Sequence, residues 1–286
     1  MKYFITYGND DFRWKKYFAS FMAKVFGKFD KCLIYSPEDI DEHFSKKYEL
    51  ILKQKRGNGY WLWKPYFILK SLEKLNYGDY LFYCDAGGAF LKPVDILIKE
   101  MNFHNQDIMG YEINLIEEQW TKKELFFCTG LYNEHRITKS NQIMSGCILI
   151  KKTNFSVKFF KEVLEIASNE INITDKLNLV QDDIYIEHRH DQSIFSILYK
   201  KYNLKAFKDP SQWGTFPERC LNKSRDMYEY GKIFKNGKIL MRVNAVLGDY
   251  DVIIYLYRRS NPLIKILKYK IRRFINDNLC KINQKA

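Results

Sequence analysis

Short apolar runs that stop at a glycine, a proline or a carboxylate alternate along this chain with longer stretches of helical spacing. KYFITYG (2–8) reads as a strand ending in a glycine turn, and KCLIYS (31–36) as a second strand closed by Pro37. Between them, DFRWKKYFASFMAKVF (11–26) carries Phe12, Tyr17, Phe18, Phe21, Met22 and Val25 at helical intervals. KPYFILKSLEKL (64–75) predicts a helix, with Pro65 in its first turn and Ile68, Leu69, Leu72 and Leu75 on one stripe. NYGD is its turn, and YLFYC (80–84) has the unbroken apolar run of a buried strand. Residues 107–113 and 145–152 predict two more strands, 155–168 a helix, and 191–202 another helix with Asp191 as its N-cap. No internal repeat or low-complexity linker interrupts the series. Strands alternating with helices predict an α/β sandwich with a mainly parallel sheet.

Composition narrows the classes. At 286 residues, 46% hydrophobic and 16% aromatic, the chain is too apolar for a disordered protein. It has no run of roughly 18 uncharged apolar residues, and MKYFITYGND is too short and polar after Ile5 to read as a signal peptide. The cysteines at 32, 84, 128, 147, 220 and 280 stand singly, which argues against a zinc or disulfide framework and suits a reducing cytoplasm.

The net charge of +13 is unevenly spread: residues 255–286 hold nine Lys or Arg and one acid, Asp277, so +8 of it sits there. NPLIKILKYKIRRFINDNL (261–279) predicts a helix with Asn261 as N-cap and Pro262 at its first position. Leu263, Ile264, Leu267, Ile271, Phe274 and Ile275 fall within roughly a third of its wheel, and Lys265, Lys268, Lys270, Arg272 and Arg273 fill the rest. Such a helix suits an anionic membrane surface, and the expected location is the cytoplasmic side of the cell membrane. Docking of the apolar face on the chain's own domain is the other reading. Nucleic-acid binding needs charge spread along a groove with stacking aromatics, so no nucleic-acid partner is expected.

YLFYCDAGGAF (80–90) raises the functional question, because a buried strand runs into one carboxylate, Asp85, and then loses its side chains at Gly87 and Gly88. In open α/β sheets ligands bind beyond the carboxyl ends of the strands, so Asp85 stands where a metal-bound phosphate or a ribose would sit. Glycines there admit close approach. An aspartate capping a tight turn is the alternative.

With neighbouring segments included, the order of features over residues 1–200 resembles nucleotide-sugar glycosyltransferases of the GT-A fold. LFYCDAGGAFL matches their strand ending in an Asp-x-Asp motif, with Gly87 in place of the second aspartate. RGNGYWLWKPYFILKSL (56–72) stands where they carry an aromatic and basic segment over the nucleotide. IMSGCILIK (143–151) matches the small turn near the donor sugar, and HRHDQSIFSIL (188–198) the Asp-Gln pair opening a helix below the reaction centre. The resemblance implies a GT-A-like, Rossmann-like domain over 1–250, followed by a basic membrane-contacting tail at 251–286.

It also implies roles for particular residues. Thr6, Tyr7 and Gly8 would meet the nucleobase, and Asp85, Ala86, Gly87 and Gly88 the ribose-diphosphate side. Tyr60 and Trp63 would stack on base or sugar, and Ser145 and Gly146 would border the sugar. The family's cation, Mn²⁺ or Mg²⁺, is bridged by two aspartates; here Asp85 alone is the candidate ligand. Without metal, cations such as Arg56, Lys64, Arg219 and Arg242 would have to stabilise the leaving diphosphate. At the reaction centre Asp191 is the first candidate for a base and His190 or His188 the second; in a retaining mechanism Asp191 or Gln192 would bind the sugar instead. His188 and Trp213, in DPSQWGTFP (209–217), are candidate acceptor contacts, and Asp182 and Asp183 read as loop acids.

The implied activity is transfer of a sugar, with a UDP-sugar as default donor, to a lipopolysaccharide, capsule or other surface glycan or glycolipid. A non-catalytic basic α/β protein that binds nucleic acid or glycan is the alternative.

Overall fold

The computed structural model describes residues 1–215, 246–258 and 260–283; for 215 and 276–283 it describes only the backbone. In chain order the frame consists of β1 (Lys2–Tyr7), α1 (Arg13–Val25), β2 (Lys31–Tyr35), α2 (Trp63–Glu73), β3 (Tyr80–Cys84), β4 (Gly88–Phe90) and α3 (Asp95–Phe103). It continues with β5 (Ile108–Ile116), β6 (Asn141–Lys151), α4 (Asn154–Ala167), α5 (His190–Lys201), β7 (Phe207–Lys208), β8 (Ile254–Leu256) and α6 (Pro262–Asn283). One sheet has the order β2-β1-β3-β6-β5-β7. All its strands point one way except β6, which is antiparallel to β3 and β5. The fold is therefore α/β with a mainly parallel sheet flanked by helices.

The two faces of β3 explain its unbroken apolar run. Leu81 and Tyr83 join one core with Phe67 and Ile68 of α2, Phe159 of α4 and Phe195 of α5. Phe82 and Cys84 join the other with Ala19 and Ala23 of α1 and Leu97 and Met101 of α3. With side chains alternating and both faces covered, every position is apolar. Helix α4 starts with a capping box, in which the Thr153 hydroxyl accepts from Ser156 N–H and Ser156 Oγ accepts from Thr153 N–H at 2.9 Å.

A second, two-stranded sheet pairs β4 with β8, antiparallel, with Gly88 opposite Leu256. Val252, Ile253, Ile254 and Tyr257 are buried against the main body. The boundary expected at residue 250 thus runs through packed core, because the chain returns there to close the edge beside Gly87.

Helix α6 docks one face on the chain's own domain and leaves an apolar stripe exposed. Its first turn is capped by Asn261, whose side-chain oxygen accepts from Ile264 N–H at 3.3 Å. One face docks: Ile266 is buried in a cluster with Met22 and Tyr257, Tyr269 lies 5.2 Å from the Tyr255 ring, and Arg273 pairs with Asp251. The other face is open, with Leu263, Ile264, Leu267, Ile271, Phe274 and Ile275 all exposed. At about 100° per residue, the docked side chains and the open apolar stripe lie on different sides of the helix. Among the described residues, no helix is long and apolar enough to cross a membrane.

Candidate functional site

At the carboxyl ends of β1 and β3 the surface opens into a cleft of about 530 Å³. Its walls come from four stretches: Arg56, Trp61 and Lys64; Asp85 and Gly87; Met144, Ser145 and Gly146; and the run from Glu187 to Gln192. Phe12, Leu256 and Arg258 complete the rim.

Asp85 is delivered by β3. Its backbone N–H donates to Gly146 O at 2.9 Å, continuing the β3–β6 pairing one step past the strand, and its Oδ1 accepts from the Tyr83 hydroxyl. The side chain is half exposed to the cleft. Loss of hydration raises its pKa above the ordinary aspartate value, against the pull of Lys64 and Tyr83. Water in the open cleft tempers that rise. Gly146 leaves the carboxylate its room, since a Cβ there would lie 3.1 Å from Asp85 Oδ2. The β5–β6 register slips between Met109 and Tyr111, opposite this stretch.

Gly87 and Gly88 are required by the fold. A Cβ on Gly87 would meet Arg258 Cα at 2.9 Å, and one on Gly88 would meet Cys84 Sγ at 2.5 Å. The expected clearing beside Asp85 is filled by the returning chain. Ala86 is buried, its carbonyl accepting from the Tyr257 hydroxyl at 2.8 Å.

Lys64, in the first turn of α2, is buried at the floor of the cleft. Its Nζ donates to Asp191 Oδ2 at 2.5 Å and to Ser145 Oγ at 3.1 Å, and lies 3.7 Å from Asp85 Oδ1. Burial alone would lower the Lys64 pKa, but Asp191 and Asp85 outweigh it and hold it raised. Asp191 Oδ2 also accepts from Ser145 Oγ at 2.7 Å. Two expectations change: Lys64 is engaged by protein carboxylates rather than open to a phosphate, and Asp191 is not the N-cap of α5. It is the second residue of that helix and is tied to Lys64. Gln192 is buried, and its Nε2 donates to Gln142 Oε1 at 2.8 Å.

The histidines are structural in their hydrogen bonding. Carbonyls only accept, so His188 Nε2–H donates to Asn172 O at 2.8 Å, while its Nδ1 faces Lys122 N–H at 3.5 Å. Both nitrogens of His188 are engaged and its ring is buried, although the residue borders the cleft. His190 Nδ1–H donates to Ile173 O at 2.7 Å, leaving the Nε2 lone pair 3.7 Å from Asp175. Burial, first of all, lowers both pKa values and keeps both rings neutral.

The GNGYW segment is not extended. Gly57, Asn58, Gly59, Tyr60 and Trp61 all have positive φ, making a left-handed turn ahead of α2. Two glycines and an asparagine tolerate this, but Tyr60 and Trp61 incur roughly 1–2 kcal/mol each. The turn lays Trp61 against His190, itself at φ +51°, with ring centroids 5.3 Å apart and planes 21° from parallel. Gly57 is obligatory here, because its Cβ would lie 2.3 Å from the Trp61 ring. Trp63 points the other way, stacking on Tyr7 at 3.8 Å and donating from Nε1 to Gly57 O. Thr6, Tyr7 and Trp63 are buried and back the site without lining the cleft. Gly8 borders a separate polar pocket of about 370 Å³ with Asn9, Asp10, Asp11, Lys16, Ser36 and Asn58.

Of the remaining residues, Tyr60 donates its hydroxyl to Asp175 at 3.0 Å. Arg56 pairs with Asp175 at 3.1 Å and lies 3.7 Å from Glu187. Asp182 pairs with Lys123 at 2.6 Å, as suits a loop acid. Trp213 lies under Arg258, 5.9 Å from its guanidinium, and does not line the cleft. Arg219 and Arg242 lie outside the described residues. The sequence reading missed Arg189 and Arg258 as cleft cations: the first was counted with its polar neighbours, the second with the tail.

A divalent cation finds a poor seat. Among the described residues no three His, Cys, Asp or Glu side chains converge to hold one, and the Lys64 ammonium already stands beside Asp85. These residues do not fit a metal centre.

The sequence matches no protein-family model and no curated protein. The fold is similar to mouse xyloside xylosyltransferase 1 in its apo form (11% identity, 90% of this chain and 97% of that one, TM-score 0.47). It is also similar to galactosyltransferase LgtC in complex with donor and acceptor sugar analogs (11% identity, 91% and 87%, TM-score 0.46). A third likeness is to the apo form of the glycosyltransferase GlyE of Streptococcus pneumoniae (12% identity, 90% and 54%, TM-score 0.40). A likeness also extends to a putative glucose-1-phosphate thymidylyltransferase from Bacillus anthracis (8% identity, 58% of this chain and 76% of that one, TM-score 0.32).

Proposed function

We propose that the protein is a glycosyltransferase that moves a sugar from a nucleotide-sugar donor to a glycan acceptor. The observation that carries this reading is the cleft at the strand ends, whose lining brings together the half-exposed Asp85 carboxylate and two arginines, Arg189 and Arg258. A carboxylate accepts hydrogen bonds from ribose or sugar hydroxyls, and the Trp61 ring offers a flat apolar wall of the kind that suits a sugar face. The polar pocket beside Gly8 has the size and hydrogen-bonding groups for a nucleoside. In this reading Asp191 is a positioning residue: fixed by Lys64 and Ser145, it holds the floor under the transferred sugar.

The open stripe of α6, flanked by exposed Lys268, Lys270 and Arg272, supports a peripheral site on an anionic membrane, and with it a lipid-linked surface-glycan acceptor. A nucleic-acid-binding module is not favoured, because these cations belong to one amphipathic helix rather than a groove.

The test is donor turnover. Purified protein is incubated with a panel of UDP-, GDP-, CDP- and ADP-sugars, and release of the nucleoside diphosphate is followed. One donor should be consumed faster in the presence of membrane extract containing the acceptor, and Asp85→Asn should lower that rate by roughly a hundredfold. A panel with no donor turned over by the wild type, with or without extract, sinks the reading.

A further inference from the structure

The cleft floor holds an arrangement that the transferase reading alone does not require. Asp85, just past the end of β3, and Asp191, at the start of α5, meet around one ammonium. Lys64 Nζ stands between them, 2.5 Å from Asp191 and 3.7 Å from Asp85, with the Ser145 hydroxyl 3.1 Å away. This ammonium is buried and cannot swing out to solvent without leaving the buried Asp191 carboxylate uncompensated. Two carboxylates held apart by one fixed cation is the role that a divalent ion plays in a site built for one.

The remaining cations divide cleanly. Arg56 is engaged by Asp175 and Glu187. Arg189 and Arg258 line the same cleft, and among the described residues neither closes an ion pair; each instead lies over a tryptophan, Trp120 and Trp213 respectively. Burial chiefly lowers the Arg189 pKa, with Glu187 opposing and the Arg258 charge adding to it, so the two guanidiniums sense one another. Like charges brought together over open space suit an anion with two negative centres, and planar guanidiniums suit phosphate oxygens.

We propose that Lys64 is the resident cation of this cleft, and that a nucleoside diphosphate is received by Arg189 and Arg258 without a divalent metal. The proposal rests on the transferase reading for its ligand and specifies how that ligand's charge is met. Lys64 neutralises the two aspartates, so Asp85 does not repel the diphosphate, and the arginines supply the positive field that a metal would otherwise bring.

The experiment is calorimetric titration of the full chain with UDP, GDP, CDP and ADP, each in EDTA and in excess Mn²⁺ or Mg²⁺. One nucleotide should bind with the same affinity in both buffers, within about twofold, and Arg258→Ala should weaken it roughly tenfold or more. Arg189→Ala should act in the same direction. Lys64→Ala leaves two facing carboxylates, so Mn²⁺ alone should raise its melting temperature while leaving that of the wild type unchanged. The wild-type titrations and the variant of the exposed Arg258 stand even where Lys64→Ala does not fold. Binding seen only with metal, or unchanged affinity in Arg258→Ala, overturns the proposal and leaves the transferase reading intact. Absence of binding for every nucleotide in both buffers removes the ligand, and both fall together.

Discussion

The cleft floor and the C-terminal helix are both rich in positive charge, and they use it in opposite ways. In the cleft two cations are held by carboxylates: Lys64 sits between Asp191 and Asp85, Arg56 between Asp175 and Glu187. On α6 the exposed Lys268, Lys270 and Arg272 make no ion pair among the described residues, and Arg273 alone is anchored, on Asp251. A buried charge defines geometry, since losing its partner is costly; exposed charges contribute by their sum. The first kind should be intolerant of single changes, and the second should respond in small, additive steps.

The strongest challenge to this contrast is Lys64→Ala. Removing one member of a buried pair typically costs about 3–5 kcal/mol, so urea unfolding should show a loss of that order. A loss below about 1 kcal/mol would mean that the floor is hydrated and the contrast is wrong. On the tail, neutralising Lys268 or Arg272 should leave thermal stability within about 0.5 kcal/mol of wild type. Each should weaken binding to anionic vesicles by about 1 kcal/mol, and Leu267→Asp with Phe274→Asp should abolish that binding. Equal effects on stability and on vesicle binding would erase the distinction.

A further expected effect concerns acid. His188 and His190 are neutral in the fold, with pKa values below the ordinary histidine value. The unfolded chain therefore takes up protons first. Stability is fully present above about pH 6.5 and is lost as pH falls toward the folded values. The melting temperature should decline between roughly pH 6.5 and 5, with a shallower slope in His188→Asn.

Much of the frame was legible from residue pattern, because β3 and its helices obey simple periodicities. Leu81 and Tyr83 on one face and Phe82 and Cys84 on the other leave no polar position to mislead. Asp85 was legible too, as the first carboxylate after such a run. Local spacing said less about partners. Lys64 and Asp191 are 127 residues apart in sequence and meet only in the folded chain. Gly87 and Gly88 look like cleared space until residues 254–258 return to fill it. The alternation of Tyr60, Trp61, Leu62 and Trp63 mimics an extended strand, whereas two glycines around Asn58 permit a left-handed turn that sends Trp61 and Trp63 to different places.

The reversed direction of β6 has a mechanical consequence. Ser145 and Gly146 reach the cleft from the interior of an eleven-residue strand that continues on either side and is stitched to β3 through Asp85. That side behaves as a fixed jaw. Arg189, just ahead of a helix, and Arg258, in a turn at φ +53°, stand outside any strand. A change at Ser145 should therefore disturb the floor through Lys64 and Asp191 together, while a change at Arg258 should leave the floor in place.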